Sequence, residues 1–336
     1  MAHYVGLDLS MEDSRFCVVD ETGKIVFEGH CASKPFEIQK ALKRFAPKRV
    51  VLETGRMAPG LVHGLRGLDV PVVCIESRQA HQSLQALKAN KTDRGDAHGL
   101  AQLARTGFYK EVHVKSLSAH GVKSMIAARA HLIRTRAKVE NQLRGLAACF
   151  GLQLGKGAGR DFARRTYEAT RARPGLTQAV DALLEVHASL VSAIVSLDRE
   201  MRRSAREREV CARIMAIPGV GVQTALAVTA ALDCPDRFKR SRDVGPYLGL
   251  VPRRHQSGEI DYSGRITKRG DGTARALLYE AANSILTRFK GSMKLKSWAL
   301  RIAERSGLKK ARVALARRLA VIMHAMMMDG TEFAMS

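Results

Sequence analysis

Four acidic residues in the first hundred positions have types and spacing that suit phosphoryl-transfer chemistry. Asp93 and Asp96 are three residues apart in NKTDRGDAHGLAQLAR, so on a helix they would share one face. Asp8 lies within the strand-like segment YVGLDLS, although aspartate is a poor strand former. Glu53 ends the apolar run RVVLE, and strand ends are where α/β sheets present functional groups. Any one of these acids alone fits a solvated carboxylate, but the four together predict one acidic site.

Carboxylates held close together repel one another unless positive charge lies between them. Hard Mg²⁺ prefers carboxylate and water oxygens and leaves coordination positions for phosphate oxygens. Two such ions roughly 3.5–4 Å apart would stabilise the attacking and leaving oxygens of a phosphodiester. The four acids therefore predict a metal site, with Mg²⁺ as the expected ion and Mn²⁺ as the alternative.

The overall charge points to a polyanionic partner. The 336 residues include 56 Lys and Arg against 32 Asp and Glu, a formal net charge of +24, spread along the chain. This favours a folded nucleic-acid binder over a membrane binder, with a merely soluble basic protein as the plain alternative. No apolar run approaches the roughly 18–20 residues of a membrane span, and no signal peptide is recognisable. The six cysteines lack metal-site spacing, so reduced thiols in a cytoplasmic protein are expected.

The first hundred residues alternate between strand and helix signals. HYVGLDLS and RFCVVDET are strand-like, and GKIVFEGH follows a DETGK turn that predicts a hairpin. FEIQKALKRFA has its apolar residues on one helical face. RVVLETG and VPVVCIES predict two further strands before the helix that carries the aspartate pair. The order strand meander, helix, strand, strand, helix predicts an α/β domain with a mixed sheet over residues 1–112.

Residues 113–207 are predicted to form a basic helical section. Two long amphipathic helices are separated by the glycine-rich segment FGLQLGKGAGR. Apolar residues on the second helix recur at alternating four-and-three steps, which fits either a short coiled coil or a helical hairpin within one chain. His187 on this seam is expected to pack rather than to bind a ligand. Residues 208–336 are predicted to form a mainly α-helical domain.

Two segments of the C-terminal domain carry phosphate-binding signals. In IMAIPGVGVQTALAVTAAL, the tight turn with Gly219 and Gly221 resembles a helix-hairpin-helix, whose backbone N–H groups bind a DNA phosphate. A plain glycine turn capping a helix is the alternative. The segment 246–286 is predicted to begin as a loop rich in glycine, serine and basic residues and to end as a helix. The basic residues expected to contact nucleic acid are Arg253, Arg254, Arg265, Lys268 and Arg269.

These segments together resemble one family. VGLDLS, VLETG and KTDRGDAHGLAQLAR match the DEDD pattern of RuvC-like nuclease domains with the RNase H fold. Their amino-acid sequences resemble those of the insertion-sequence-110 transposases, which include the Piv-type DNA invertases. IPGVGVQTALAVTAAL, YLGLVPRRHQSG and GRITKRGDGTARALLYEAA resemble that family's second domain. The resemblance spans nearly the whole chain and implies an α/β RNase H-like (RuvC-like) N-terminal domain and a C-terminal transposase domain acting on donor and target DNA.

The resemblance also implies a nucleophile and partners. Ser257 in RRHQSGEI matches the family's catalytic serine, which forms a covalent serine–phosphate link to DNA. Without the resemblance Ser257 would be a loop serine contacting phosphate, and Ser263 in DYSGRIT is its local competitor. A serine hydroxyl must be activated by a base or a metal, and His255 is a candidate base. The family further implies a structured non-coding bridge RNA and a homodimer that assembles to a homotetramer, in which distant acids and serine form one composite site.

Three functions are consistent with these features. The preferred one is a Mg²⁺-dependent serine transposase, associated with the nucleoid in a bacterial cytoplasm, that cuts and rejoins DNA. The alternative is a RuvC-like nuclease in which water attacks and Ser257 only contacts phosphate. A nuclease leaves free ends, whereas a recombinase leaves a protein–DNA adduct and joined strands. The third, a DNA- or RNA-binding protein with a decayed site, is disfavoured because all four acids are present.

Overall fold

Five strands form a mixed sheet in the N-terminal part of the chain. The structure is a computed structural model describing residues 1–78, 80–82, 93–258 and 260–335, which divide into the units Met1–Leu117 and Ser118–Ser336. The strand order is β3-β2-β1-β4-β5, with β1, β2 and β3 antiparallel and β1, β4 and β5 parallel. The strands are β1 (Tyr4–Asp8), β2 (Asp13–Val19), β3 (Ile25–Ala32), β4 (Arg49–Glu53) and β5 (Val72–Ile75).

Helices cover both faces of this sheet. Helices α1 (Pro35–Leu42) and α2 (Ala58–Arg66) pack on the face that contains Leu7 and Leu52. Helix α3 (Asp93–Thr106) packs on the opposite face. The predicted α/β domain with a mixed sheet is confirmed, but the predicted order lacked α2. Two parallel strands cannot be joined by a tight turn, and α2 is the crossover that β4 and β5 require.

Helix α3 approaches β1 closely because residue 6 has no side chain. A Cβ atom on Gly6 would lie 2.1 Å from the carbonyl oxygen of Ala97 and 2.3 Å from the nitrogen of Ala101. Both alanines are buried against the sheet. Because only glycine allows this approach, Gly6 sets the position of α3, and therefore of Asp96, relative to β1.

The second unit is mainly helical, as predicted. Its core is formed by apolar side chains from most of its helices, including Leu226, Leu278 and Leu315. Single 3₁₀ turns occur at Lys43–Phe45 in the first unit and at Pro235–Arg237 and Ser241–Asp243 in the second. The remaining helices are α4 (Leu117–Cys149), α5 (Gly159–Thr170), α6 (Thr177–Arg206), α7 (Glu209–Met215), α8 (Val222–Leu232), α9 (Val244–Tyr247), α10 (Gly272–Thr287), α11 (Lys294–Ser306) and α12 (Leu308–Asp329).

Helices α4 and α6 pair antiparallel within the chain. Arg129 Nε lies 2.5 Å from Asp198 Oδ1, and His187 Nε2 lies 3.0 Å from Glu140 Oε1. His187 is buried in this contact, so it packs as expected. By length and composition alone, α6 is the one helix of the described ranges that could cross a membrane. Its polar contacts with α4 instead fit a helix packed inside a folded unit.

The segment predicted as a basic loop is a β-hairpin, so that prediction was wrong. Strands β6 (Pro252–Ser257) and β7 (Ile260–Ile266) pair antiparallel. At the turn, Gly258 has φ +56°, a backbone conformation that favours glycine. Nearly every residue of the hairpin is exposed. Because neither face is buried, the strands carry no alternation of apolar and polar residues that would predict them.

Two glycines allow close backbone packing at the base of this hairpin. Gly249 has φ +67°, and a Cβ there would lie 2.4 Å from the carbonyl oxygen of Arg269. Gly270 has φ +71°, and a Cβ there would lie 2.0 Å from the carbonyl oxygen of Tyr247. Both positions therefore require glycine for backbone conformation and for space.

Arg275 of α10 joins the two ends of the same segment. Its Nη1 donates to the carbonyl oxygens of Leu248 and Arg269, each at 2.9 Å. Asp271 caps α10 by accepting from the backbone N–H groups of Thr273 and Ala274, each at 3.0 Å. The hairpin is therefore exposed along its length but fixed to α10 at its base.

Replacing Gly270 with alanine is expected to destabilise the protein by roughly 2–4 kcal/mol, because the change adds both left-handed backbone strain and a backbone clash. Gly264→Ala is the matched control, since its Cβ would meet nothing closer than 3.9 Å, and it should change stability by no more than about 0.5 kcal/mol. Chemical denaturation of the two variants measures this difference. Equal stabilities would contradict the proposed packing at Gly270.

Candidate nuclease site and serine hairpin

Asp8 and Glu53 end two adjacent parallel strands on the face of the sheet covered by α3. Leu7 of β1 pairs with Leu52 of β4, so the next residues along both strands are neighbours at the carboxyl edge. Adjacent strands lie about 5 Å apart. Both acids are half-buried. Glu53 ends its strand as predicted, whereas Asp8, expected in the middle of a strand, is the last residue of β1.

Asp96 lies on α3, directly before the residue that contacts β1. Ala97 packs over Gly6, and Asp8 is two residues beyond Gly6 on the same face of β1. The structure therefore brings Asp96 to the edge of the sheet that carries Asp8 and Glu53. The side chain of Asp93 lies outside the described part of the structure.

The donor atoms at this edge fit a hard divalent cation. Three half-buried carboxylates on one face offer the oxygen ligands that Mg²⁺ and Mn²⁺ prefer. Within the described residues, no three Asp, Glu, His or Cys side chains form a complete metal-binding group. The set predicted from the sequence includes Asp93, whose side chain is not part of that description.

Two basic residues that were not predicted from the sequence continue the row that Asp8 begins across the sheet. Asp8 pairs with Arg15 of β2, and Arg15 pairs with His30 of β3. Directly paired residues in antiparallel strands share a face, so Arg15 and His30 lie on the α3 side. Both are exposed. The sequence alone could not have found Arg15, because its place beside Asp8 depends on the register of the β1–β2 hairpin.

An open cavity lies along this row. Its volume is about 260 Å³, and its lining includes Arg15, His30 and Ala97. Ala97 follows Asp96 directly, so the cavity begins next to the acidic edge. Glu28 also lines the cavity, so the surface beside the acidic edge carries two basic side chains and one further carboxylate.

Ser257 is the last residue of β6, at the tip of the exposed hairpin. It pairs with Ile260, and His255 pairs with Tyr262, so these four residues share one face. The rings of His255 and Tyr262 stack with centroids 5.3 Å apart and an interplanar angle of 15°. Ser257 is exposed to solvent at this tip.

The competing serine, Ser263, lies on the other face of the hairpin. It pairs with Arg254, whose Nε donates to Asp261 Oδ1 at 2.9 Å. The hydrogen bond from Arg254 lowers the pKa of the Asp261 carboxyl group. Arg254 therefore has an acidic partner within the hairpin, on the face away from Ser257.

The other basic residues expected to bind nucleic acid are exposed on or beside the hairpin. Arg253 and Arg265 lie on β6 and β7, and Lys268 and Arg269 are the second and third residues after β7. Lys268 has φ +54°, a left-handed conformation that turns the chain towards α10. These four side chains surround the base of the hairpin with positive charge.

The predicted helix-hairpin-helix segment consists of α7, a glycine turn and α8. Gly219 has φ +78°, and a Cβ there would lie 2.9 Å from the carbonyl oxygen of Ala281 in α10. Gly221 precedes α8 and has open space around its Cβ position. Gly219 is therefore required for packing, whereas the space beside Gly221, at the start of α8, is open.

Comparison with known proteins assigns both parts of the chain. The DEDD transposase domain of IS110 elements matches residues 5–148, and the domain described as the IS116/IS110/IS902 transposase family matches residues 211–297. The chain is also 30% identical to the transposase of insertion sequence IS1111A from Coxiella burnetii, over 96% of this chain and 89% of that protein. This chain belongs to the IS110 family of transposases.

Two further similarities extend the comparison. The transposase of IS1328 from Yersinia enterocolitica is 27% identical over 74% of this chain and 75% of its own length. The structure of RuvC from Thermus thermophilus aligns with 33% of this chain and 99% of RuvC, at 17% identity and a TM-score of 0.26.

Membership of the IS110 family establishes the type of reaction. This IS110-family transposase is an enzyme that cuts and rejoins the DNA of an insertion sequence. Its DEDD transposase domain implies a divalent metal cation. DNA is therefore a substrate, in agreement with the net charge of +24.

Proposed function

We propose that this transposase cuts and rejoins DNA through a Mg²⁺-dependent DEDD site and a covalent serine–phosphate intermediate. The nucleophile is Ser257. When bound, Mg²⁺ would polarise the phosphodiester and stabilise the oxygen that leaves. The residues that would hold the metal are Asp8, Glu53, Asp93 and Asp96.

The proposed reaction conserves the number of phosphodiester bonds. The Ser257 hydroxyl loses its proton to a base and attacks phosphorus, so a serine–phosphate bond forms while one phosphate–sugar bond breaks. The departing sugar oxygen takes up a proton. A hydroxyl of the recombining strand then attacks the same phosphorus, which restores a phosphodiester and returns the proton to Ser257. No external energy source is needed, because each step exchanges one phosphate ester for another.

The main support for this proposal is the location of Ser257 on the hairpin. It is exposed at the tip, followed by a glycine with open space around it, while the hairpin base is fixed to α10. A nucleophile must reach a phosphorus within a duplex, and this location provides both access and a fixed origin. Ser263, beside the Arg254–Asp261 pair on the other face, lacks that setting.

The basic residues around each centre are proposed to hold phosphates. Arg15 and His30 would contact the phosphate next to the acids. Arg254 is paired with Asp261 and would mainly stabilise the hairpin. Positive groups placed in this way stabilise charge on transferring phosphoryl oxygens. The phosphate contacts of the second unit are Arg253, Arg265, Lys268, Arg269 and the α8 N-terminus after Gly219 and Gly221.

We also propose that an RNA encoded by the element guides this reaction, in a homodimer that assembles to a homotetramer. The support is the family resemblance together with the large basic surplus, which suits RNA phosphates as well as DNA phosphates. Mg²⁺ as the metal and a location at the bacterial nucleoid are proposed on the same grounds.

The test combines purified protein, Mg²⁺, donor and target DNA and RNA transcribed from the flanks of the element. Joined donor–target strands that form with this RNA, and not with a scrambled RNA of equal length, are the expected result. Cleavage to free ends in every mixture would favour the RuvC-like nuclease. Joined strands without RNA would remove the guide from the proposal and leave the transposase chemistry in place.

A further inference from the structure

A cavity in the second unit lies between α11, α12 and the residues that follow α12. Its volume is about 610 Å³, within the range of sites that enclose small ligands. Its lining includes Trp298 and Arg301 of α11, Arg318 of α12, and Phe333. None of these residues belongs to the acidic edge or to the Ser257 hairpin.

Two aromatic rings form one part of the cavity. Trp298 and Phe333 are half-buried and pack against the edge of the helical core. Each ring is therefore held by core atoms while it also borders the cavity. A ring already fixed by packing loses little conformational freedom when a flat ligand stacks on it.

Three cations form the other part. Lys294, Arg301 and Arg318 are exposed and line the cavity. Among the residues that the structure describes, none of the three forms an ion pair with a carboxylate. Several other arginines of this unit do have such partners, for example Arg129 with Asp198. The cavity therefore combines stacking surfaces with positive charge that no described acid neutralises.

We propose that this cavity binds an unpaired nucleotide of a single-stranded nucleic acid. The base would stack on Trp298 and Phe333, and the neighbouring phosphates would contact Arg301 and Arg318. Aromatic rings interleaved with cations are the usual recognition surface for unpaired strands. A simple anion would not need the rings, and an apolar peptide would not need three cations. Within a duplex no base can stack on the rings, because each base is stacked on its neighbours, and only the terminal pairs expose an open face.

The chain offers a direct probe, because Trp298 is its only tryptophan. Tryptophan emission, excited at wavelengths that the six tyrosines do not absorb, therefore reports on the surroundings of Trp298. The titration uses ten-nucleotide thymidine and uridine oligomers and a ten-base-pair duplex whose ends are closed by non-nucleotide linkers, without Mg²⁺. The expected result is saturable quenching by both oligomers and none by the duplex. Since no catalysis is involved, the result does not depend on the role of Ser257.

Variants then test each part of the cavity with labelled oligomers. Trp298→Leu keeps an apolar side chain and should weaken binding roughly tenfold through loss of stacking. Replacing both Arg301 and Arg318 with glutamine should reduce the slope of log affinity against log salt by about 1.4, at roughly 0.7 per phosphate contact on a single strand. Arg305→Gln is the control, because it lies on α11 outside the cavity lining, and it should leave the slope unchanged.

Each outcome either supports the proposal or overturns it. Quenching stronger with the uridine oligomer assigns the cavity to RNA, and equal quenching assigns it to an unpaired strand of either kind. The proposal is overturned if emission does not respond to the oligomers, or if the duplex quenches as strongly as they do. It is also overturned if the double glutamine variant, with an unchanged melting temperature, keeps the wild-type affinity and salt slope.

Discussion

Replacing Ser257 with alanine is expected to abolish the covalent protein–DNA adduct and to lower strand joining by roughly a thousandfold or more, as for loss of a nucleophile. Ser257 is exposed at the hairpin tip, and its hydroxyl takes no part in packing the helical core. The variant should therefore fold and bind DNA like the wild type. Denaturing gel electrophoresis of labelled donor DNA measures the adduct.

Ser263→Ala is the matched control for this experiment. Ser263 lies on the same hairpin, six residues further on and on the opposite face. It should retain the adduct and most of the joining activity. An adduct that persists in Ser257→Ala and disappears in Ser263→Ala would transfer the nucleophile to the other face. Free-end cleavage that is equal in both variants would leave a nuclease in which Ser257 contacts phosphate only.

Replacing Asp8 with asparagine is expected to lower Mg²⁺-dependent cleavage by roughly a thousandfold or more. Asparagine keeps the size of the side chain but removes a charge that a hard divalent cation requires. Asp8 lies between Glu53 on the next strand and Arg15 on the other side. The variant removes one negative charge, so its DNA affinity should not fall. Loss of activity with retained binding would therefore locate the defect in the chemical step.

Asp69→Asn is the control for charge and residue type. Asp69 is exposed in a left-handed turn before β5, a conformation that asparagine also adopts. Asp69 precedes the amino end of β5, whereas Asp8 and Glu53 lie at the carboxyl ends of β1 and β4. Cleavage and DNA binding should match the wild type. If Asp8→Asn also kept wild-type cleavage over a Mg²⁺ titration, the acidic edge would not be the metal site.

The N-terminal fold could be predicted because its strands are apolar and buried. Leu7, Val51 and Leu52 lie in runs whose character is visible without the structure. Helix α2 was missed because its sequence, APGLVHGLR, contains proline and two glycines that mask the helical signal. The β6–β7 hairpin was missed for the opposite reason: it buries neither face, so no periodic pattern marks it.

The site could be predicted only in part. An aspartate within a strand, a glutamate at a strand end and helical spacing were the signals that grouped Asp8, Glu53 and Asp96, and these signals are local. The separation of Ser257 from Ser263 depends on the register of a hairpin that the sequence pattern did not reveal. The cavity at Trp298 depends on packing between α11, α12 and Phe333. Such contacts join distant parts of the chain and have no local signal.

The most direct test of the proposed serine–phosphate intermediate is to identify the residue that becomes attached to DNA. Wild-type protein would be incubated with donor DNA, Mg²⁺ and RNA from the element, denatured, digested with nuclease and protease, and analysed by peptide mass spectrometry. We expect a nucleotide on the peptide that contains Ser257 and on no other peptide. A nucleotide on any other residue, or joined DNA with no modified peptide at any time point, would contradict it.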